Sequence, residues 1–202
     1  MTEGNIKFNC IWEKGEIHLW KEIYYNIEST RAKIYALGLI GIYPNGIGYG
    51  NISVRGDEEK TFIISGSATG GLVHLKQSDY ALVTDYNMNE NTIECTGLTQ
   101  ASSESLTHAA IYQSLPEVGA VIHFHCLWLW EKLLKDHPAT PTDIEYGTPE
   151  MAEAVEKLAL EIKDRKEKII VMGGHHEGIV AFGSSLVEAT VQVYNILNRY
   201  KK

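Results

Sequence analysis

The run Val121-Ile122-His123-Phe124-His125-Cys126 places two imidazoles two residues apart. On a β-strand, residues so spaced project from one face, roughly 6–7 Å apart along the backbone, and both rings can converge on one cation at about 2.0–2.1 Å each. Phe124 and Cys126 alternate to the opposite face, where an aromatic ring and a thiol fill apolar core. Two ligands do not close a coordination shell. A second histidine-rich segment, Gly173-Gly174-His175-His176-Glu177-Gly178, lies between two later strand-like runs. Its glycines permit unusual backbone angles and close approach, as a loop aiming an imidazole at a fixed point requires. On spacing alone, His175 and His176 are both candidates. Each segment has a plainer reading, a hydrogen-bonded histidine pair at a strand end and a solvated polar turn; taken together they point to a divalent cation.

A third element, Thr99-Gln100-Ala101-Ser102-Ser103-Glu104, opens a helix. Amides at a helix N-terminus, joined by two hydroxyls, form a receptor for phosphate, and Glu104 in the first turn stands beside whatever binds there. The plainer alternative is a serine cap followed by a glutamate favoured by the helix dipole. His108, four residues on along the same helical face, is a further candidate ligand, though it is expected rather to pack beneath the helix.

These residues need a scaffold, and the pattern of apolar residues supplies its parts. From about Glu13 to Leu39, Ile17, Trp20, Tyr24, Ile27, Ile34 and Leu37 recur at helical spacing until Gly38, Gly41 and Pro44 interrupt, which predicts one long amphipathic helix. The glycines of Asn45-Gly46-Ile47-Gly48-Tyr49-Gly50 follow a helix rather than a strand, so they read as turn chemistry and not as a dinucleotide loop. Runs rich in Ile, Val and Thr at 51–55, 61–65, 80–86 and 92–95 read as strands of a mostly antiparallel sheet. Then follow a helix over 104–115 stopped by Pro116, a strand over 118–126, a short helix over 127–135 and a longer one over 149–163 opened by Thr148-Pro149. Strands at 168–172 and 179–182 and a helix over 186–200 close the chain. The expected fold is α/β: a single domain over residues 1–202, with a central, mostly antiparallel sheet covered by helices on both faces.

Bulk properties narrow the function. A chain of 202 residues that is 44% hydrophobic can bury one sizeable core. Its net charge of -8 disfavours nucleic acid and anionic membranes as partners, since such binding needs cationic groups that displace counterions. The three cysteines, Cys10, Cys95 and Cys126, form no CxxC pair and suit a reducing compartment. No apolar run has the length of a signal peptide or a membrane span, so a cytoplasmic protein is expected and the Asn51-Ile52-Ser53 sequon is chance.

The residues above, in their order, resemble the class II aldolase/adducin family, whose zinc-dependent members include sugar-phosphate aldolases, epimerases and dehydratases. Gly50-Asn51-Ile52-Ser53 is similar to the family's GNxS strand, Ser102-Ser103-Glu104 to its SSE motif and His123-Phe124-His125 to its HxH, while Tyr146-Gly147-Thr148-Pro149-Glu150 resembles a segment preceding a family helix. The resemblance implies Zn2+, or another divalent cation, on His123, His125 and the histidine of the late loop, for which the form Gly-His-x-x-Gly favours His175. It implies that Asn51, Ser67, Thr69, Gly70, Ser102 and Ser103 contact a substrate phosphate and that Glu104 is the acid/base. The implied activity is retro-aldol cleavage of a sugar phosphate through a metal-stabilised enediolate, in a homo-oligomer, a tetramer by resemblance. The alternatives are a dehydratase or epimerase on the same metal site, and a noncatalytic adducin-like scaffold, which would have no need of the histidines and Glu104. Two departures stand out: the stretch from His125 to Tyr146 is short, with no counterpart of the loop that carries a catalytic tyrosine, and Lys and Arg are sparse near the phosphate segments.

Overall fold

The computed structural model describes residues 5–201. Its main element is an eight-stranded sheet built from β1 (Asn9–Lys14), β4 (Asn51–Arg55), β5 (Phe62–Ser65), β6 (Tyr80–Asn87), β7 (Thr92–Gly97), β8 (Ala120–His125), β9 (Ile169–Val171) and β10 (Gly178–Gly183). The strand order is β1-β7-β6-β5-β4-β8-β10-β9. β1 runs parallel to β7 and the other neighbours are antiparallel. β2 (Gly41–Ile42) and β3 (Gly48–Tyr49) form a separate small hairpin.

Helices cover both faces, as expected. On one face α2 (Ser105–Ser114) and α4 (Pro149–Ile162) bury Leu106, Ile111, Met151 and Val155 against Phe62, Val83, Val121, Val180 and Phe182. On the other, α1 (Lys21–Ala36), α3 (Leu127–Asp136) and α5 (Leu186–Tyr200) bury Ile27, Ile34, Leu129, Val193 and Ile196 against Ile52, Ile122, Phe124, Ile179 and Ala181. The period of two along β8 explains this division: Ala120, Ile122 and Phe124 serve the second face and Val121 the first. His123 and His125 therefore share the α2 side of the sheet.

The single long helix expected over 13–39 is corrected. Its first two residues, Glu13 and Lys14, end the strand β1, in which Cys10 and Trp12 turn inward while Ile11 is exposed, and the Trp12 indole donates to the Gly97 carbonyl at 3.0 Å. The helix starts only at Lys21, with Trp20 at its cap and largely exposed. The helical spacing of Ile17 and Trp20 was coincidental, since residues 15–20 lie between β1 and the helix in neither element. The turn expected at 45–50 lies within the β2–β3 hairpin. α2 begins at Ser105 with Glu104 as its cap; no side chain caps the helix in the usual way, although Ser102 Oγ accepts the Glu104 amide at 3.4 Å. Among the described residues, no helix is long and apolar enough to cross a membrane.

Candidate metal centre

The strand order brings distant segments together. In the central ladder Asn51 of β4 lies directly opposite His123 of β8, and Gly178 of β10 opposite His125. The turn between β9 and β10 carries His175 back over the same spot, with the His175 amide donating to the Met172 carbonyl and the Gly178 amide to the His175 carbonyl. Glycine is required in this turn, since a side chain at Gly174 would collide with the Ile144 carbonyl.

The outcome is a triangle of imidazoles. Ring centroids of His123, His125 and His175 lie 4.8–4.9 Å apart, and one nitrogen from each falls within 4.8 Å of the others. All three are buried. His176 faces outward with its side chain 69% exposed and packs on Trp130. Burial holds His123 and His125 well below the ordinary imidazole range, with the neighbouring His175 adding to the effect. His175 is pushed down to about 3, by burial first and then by the Lys7 ammonium and His176. At neutral pH the rings are therefore uncharged, the state in which an imidazole ligates a metal.

The donor set fits a divalent cation. His123 Nε2 is buried without a hydrogen-bond partner among the described residues, a costly arrangement for a polar nitrogen that a metal bond would relieve. Three neutral nitrogens leaving an open position match the ligand count of catalytic zinc sites.

Around the triangle lies a cleft of about 230 Å³ whose lining includes Asn51, Ser67, Thr69, Gly70, Ser102, Ser103, Glu104 and the three histidines. The residues that the resemblance assigned to the metal, the phosphate and the acid/base thus open on one space, whereas His176 and His108 do not line it. Glu104 is buried, accepts the Thr107 hydroxyl on Oε2 at 2.9 Å and holds Oε1 3.7 Å from His175 Nδ1. The Asn51 side-chain amide lies 3.2 Å from His123 Nδ1. The Thr69 hydroxyl already donates its proton to the Gly66 carbonyl at 2.7 Å, so toward an anionic ligand its backbone amide, not its hydroxyl, is the donor. His108 lies beneath, its Nδ1 2.7 Å from the Ser53 hydroxyl, which also meets the Tyr112 hydroxyl at 2.7 Å.

Five contributors escaped sequence reasoning. Arg31 of α1, fully buried, donates to the carbonyls of Thr69 at 3.1 Å and Gly70 at 3.2 Å, placing a cation directly behind the glycine-rich loop Ser65-Gly66-Ser67-Ala68-Thr69-Gly70-Gly71. Tyr146 stacks on His175 at 4.4 Å, with Lys7 Nζ 3.4 Å above the tyrosine ring. Tyr43 and Glu177 reach His125 from outside the cleft: the Tyr43 oxygen lies 2.8 Å from His125 Nδ1, and its hydroxyl donates to Glu177 Oε2 at 2.9 Å. Glu177 carried a signal in its place in the histidine loop, and Tyr146 in the segment that resembles one preceding a family helix; the others reach the site through long-range packing.

Fold and site together define an α/β protein with a buried three-histidine metal centre beside a polar cleft. Residues 45–199 match the family described as Class II Aldolase and Adducin N-terminal domain, and the chain belongs to that family. It is 29% identical over 106 residues to methylthioribulose-1-phosphate dehydratase of Leptospira interrogans, a match spanning 49% of this chain and 43% of that protein's length. Among solved structures, an L-fuculose 1-phosphate aldolase superposes with a TM-score of 0.66 at 20% identity, covering 93% of this chain and 88% of the other. A sugar-phosphate aldolase from Thermotoga maritima gives 0.62 at 21% identity, covering 88% and 91%. At these identities the superpositions establish the shared fold.

Proposed function

We propose that this protein is a zinc-dependent lyase that cleaves a sugar phosphate, or a related hydroxy-carbonyl compound, by a retro-aldol reaction. The observation that carries the reading is the convergence, in one cleft, of three neutral imidazoles, a buried carboxylate and a glycine-rich loop backed by Arg31. His123, His125 and His175 would hold the cation, whose chemistry when bound is Lewis acidity toward a substrate carbonyl and its neighbouring hydroxyl.

The remaining steps belong to the chain's own groups. Ser67, Ser102, Ser103, Asn51 and the amides near Thr69 and Gly70 hold the phosphate, with Arg31 favouring negative charge from behind the loop. Glu104, fixed by the Thr107 hydroxyl, takes the proton of the hydroxyl whose carbon becomes a carbonyl as the carbon–carbon bond breaks and delivers it to the carbon left electron-rich. Burial of the histidines and Glu104 keeps bulk water from competing for that carbon.

The test is to incubate the zinc-loaded protein with a panel of ketose and aldose phosphates, following cleavage, epimerisation and water loss separately. Cleavage is expected. A second reading, a dehydratase on the same site, draws on the similarity to the Leptospira dehydratase; water loss without cleavage would replace the first reading by this one. We further infer a homo-oligomer in which subunits cover the exposed Trp20, Tyr25 and Val73. Light scattering showing only monomer at micromolar concentration would overturn that inference.

A further inference from the structure

We infer that Tyr43 and Glu177 form a positioning relay that sets the tautomer and orientation of His125 for metal binding; the inference rests on the metal reading of the site. The argument starts from one hydrogen. A tyrosine hydroxyl has a single proton to give, and that of Tyr43 is directed at Glu177 Oε2, 2.9 Å away. Toward His125 Nδ1, at 2.8 Å, the same oxygen can then only accept. Nδ1 must carry the imidazole proton, which leaves the lone pair on Nε2. Nε2 of His125 is buried, and the residue lines the cleft with His123 and His175.

The relay draws on three separate parts of the fold. Tyr43 comes from the β2–β3 hairpin, His125 from the end of β8 and Glu177 from the turn before β10. Aromatic packing holds the tyrosine in place: its ring lies 4.5 Å from that of Tyr49, which in turn lies 5.4 Å from His125. The Glu177 carbonyl accepts the Cys126 amide at 3.1 Å, tying the turn to the residue that follows His125. Glu177 itself has φ 68°, a left-handed conformation that glycine adopts at lower cost. A glutamate held there supplies what glycine lacks, a carboxylate. The turn thus provides His175 on one side of the centre and, two residues later, the acceptor that orients His125 from the other.

A hydrogen-bond acceptor behind a ligating imidazole raises its basicity and removes its rotational freedom, and loss of such a partner typically weakens metal binding about 10- to 100-fold. Neither Tyr43 nor Glu177 touches the reacting atoms, so both are positioning residues and metal affinity is the direct readout.

The experiment compares the wild type, Tyr43→Phe, Glu177→Gln and the double variant by zinc competition against a chromophoric chelator, by the visible spectrum of the cobalt(II)-substituted protein and by melting of the metal-free forms. Tyr43→Phe keeps the ring and removes only the hydroxyl. It is expected to bind zinc about 10- to 100-fold more weakly and to shift the cobalt bands, while the metal-free protein melts as the wild type does. Glu177→Gln is expected to lose less, and the double variant to match Tyr43→Phe alone, since Glu177 acts through the tyrosine. Zinc affinity within twofold of wild type in Tyr43→Phe overturns the relay and leaves the metal reading intact. A lowered melting temperature of the metal-free variant at unchanged affinity assigns Tyr43 a structural role instead, and absence of zinc binding by the wild type overturns the metal reading itself.

Discussion

At the scale of single residues, two neighbouring histidines have opposite fates. His175 is buried against His123, His125 and Tyr146, while the His176 side chain is 69% exposed. His175→Ala is therefore expected to abolish stoichiometric zinc and His176→Ala to retain it; elemental analysis of both purified variants decides, and equal retention removes the loop from the site. Glu104 poses the other residue-scale question. Glu104→Gln keeps the shape of the cap and can still accept the Thr107 hydroxyl, but it cannot take up and return a proton. Turnover on a substrate found in the screen should fall by about 10²- to 10⁴-fold, with zinc retained. Were Glu104 only a residue favoured by the helix dipole, the change would cost at most about 1 kcal/mol of stability and leave turnover near that of the wild type.

Elements were legible where their ends carry their own chemistry. α4 starts where Thr148 accepts the Met151 amide at 3.3 Å with Pro149 in the first turn, and α5 where Ser185 accepts the Glu188 amide at 3.2 Å; both starts could be read from residue types alone. β1 could not, because an edge strand of mixed polarity is defined by its partner β7, some eighty residues away. The β2–β3 hairpin illustrates how an element shapes the site. Gly70 of the glycine-rich loop packs on it so closely that a Cβ would lie 2.5 Å from the Gly41 carbonyl and 2.9 Å from the Tyr49 amide. Both neighbours are backbone and cannot swing aside. Gly70→Ala should destabilise the protein by about 1–3 kcal/mol and weaken binding of phosphorylated substrate more than it weakens zinc binding. Unfolding by urea and a substrate titration check the two halves, and a variant unchanged in both would show that the contact is slack.

For the molecule as a whole, burial of the metal centre creates a pH dependence. His108, His123, His125 and His175 are all held below the ordinary value of 6.5 when folded, chiefly by desolvation. Between the folded and unfolded values the unfolded chain binds more protons, so stability present above about pH 6.5 is lost as pH falls toward the His175 value of about 3. The metal-free protein should unfold at lower urea concentration at about pH 5 than at pH 7.5, and identical midpoints would contradict the neutral, buried state of these rings.

The sequence by itself carried the candidate groups and much of the scaffold. A pair of histidines at strand spacing, a histidine between glycines and a serine-serine-glutamate at a helix start are each decided by local geometry, and the apolar periods that carry them follow from the pitch of helix and strand. Tertiary structure decided what converges. Pairing of β4 with β8 and of β8 with β10 brings Asn51, His123, His125 and the His175 turn to one place, and no local pattern encodes which strands become neighbours. It also decided what stands behind the site: Arg31 reads as one more charge on an amphipathic helix and Tyr43 as a loop aromatic until the chain closes. Their roles arise from contacts between residues 38 to 134 positions apart, which exist only once the sheet has ordered its strands.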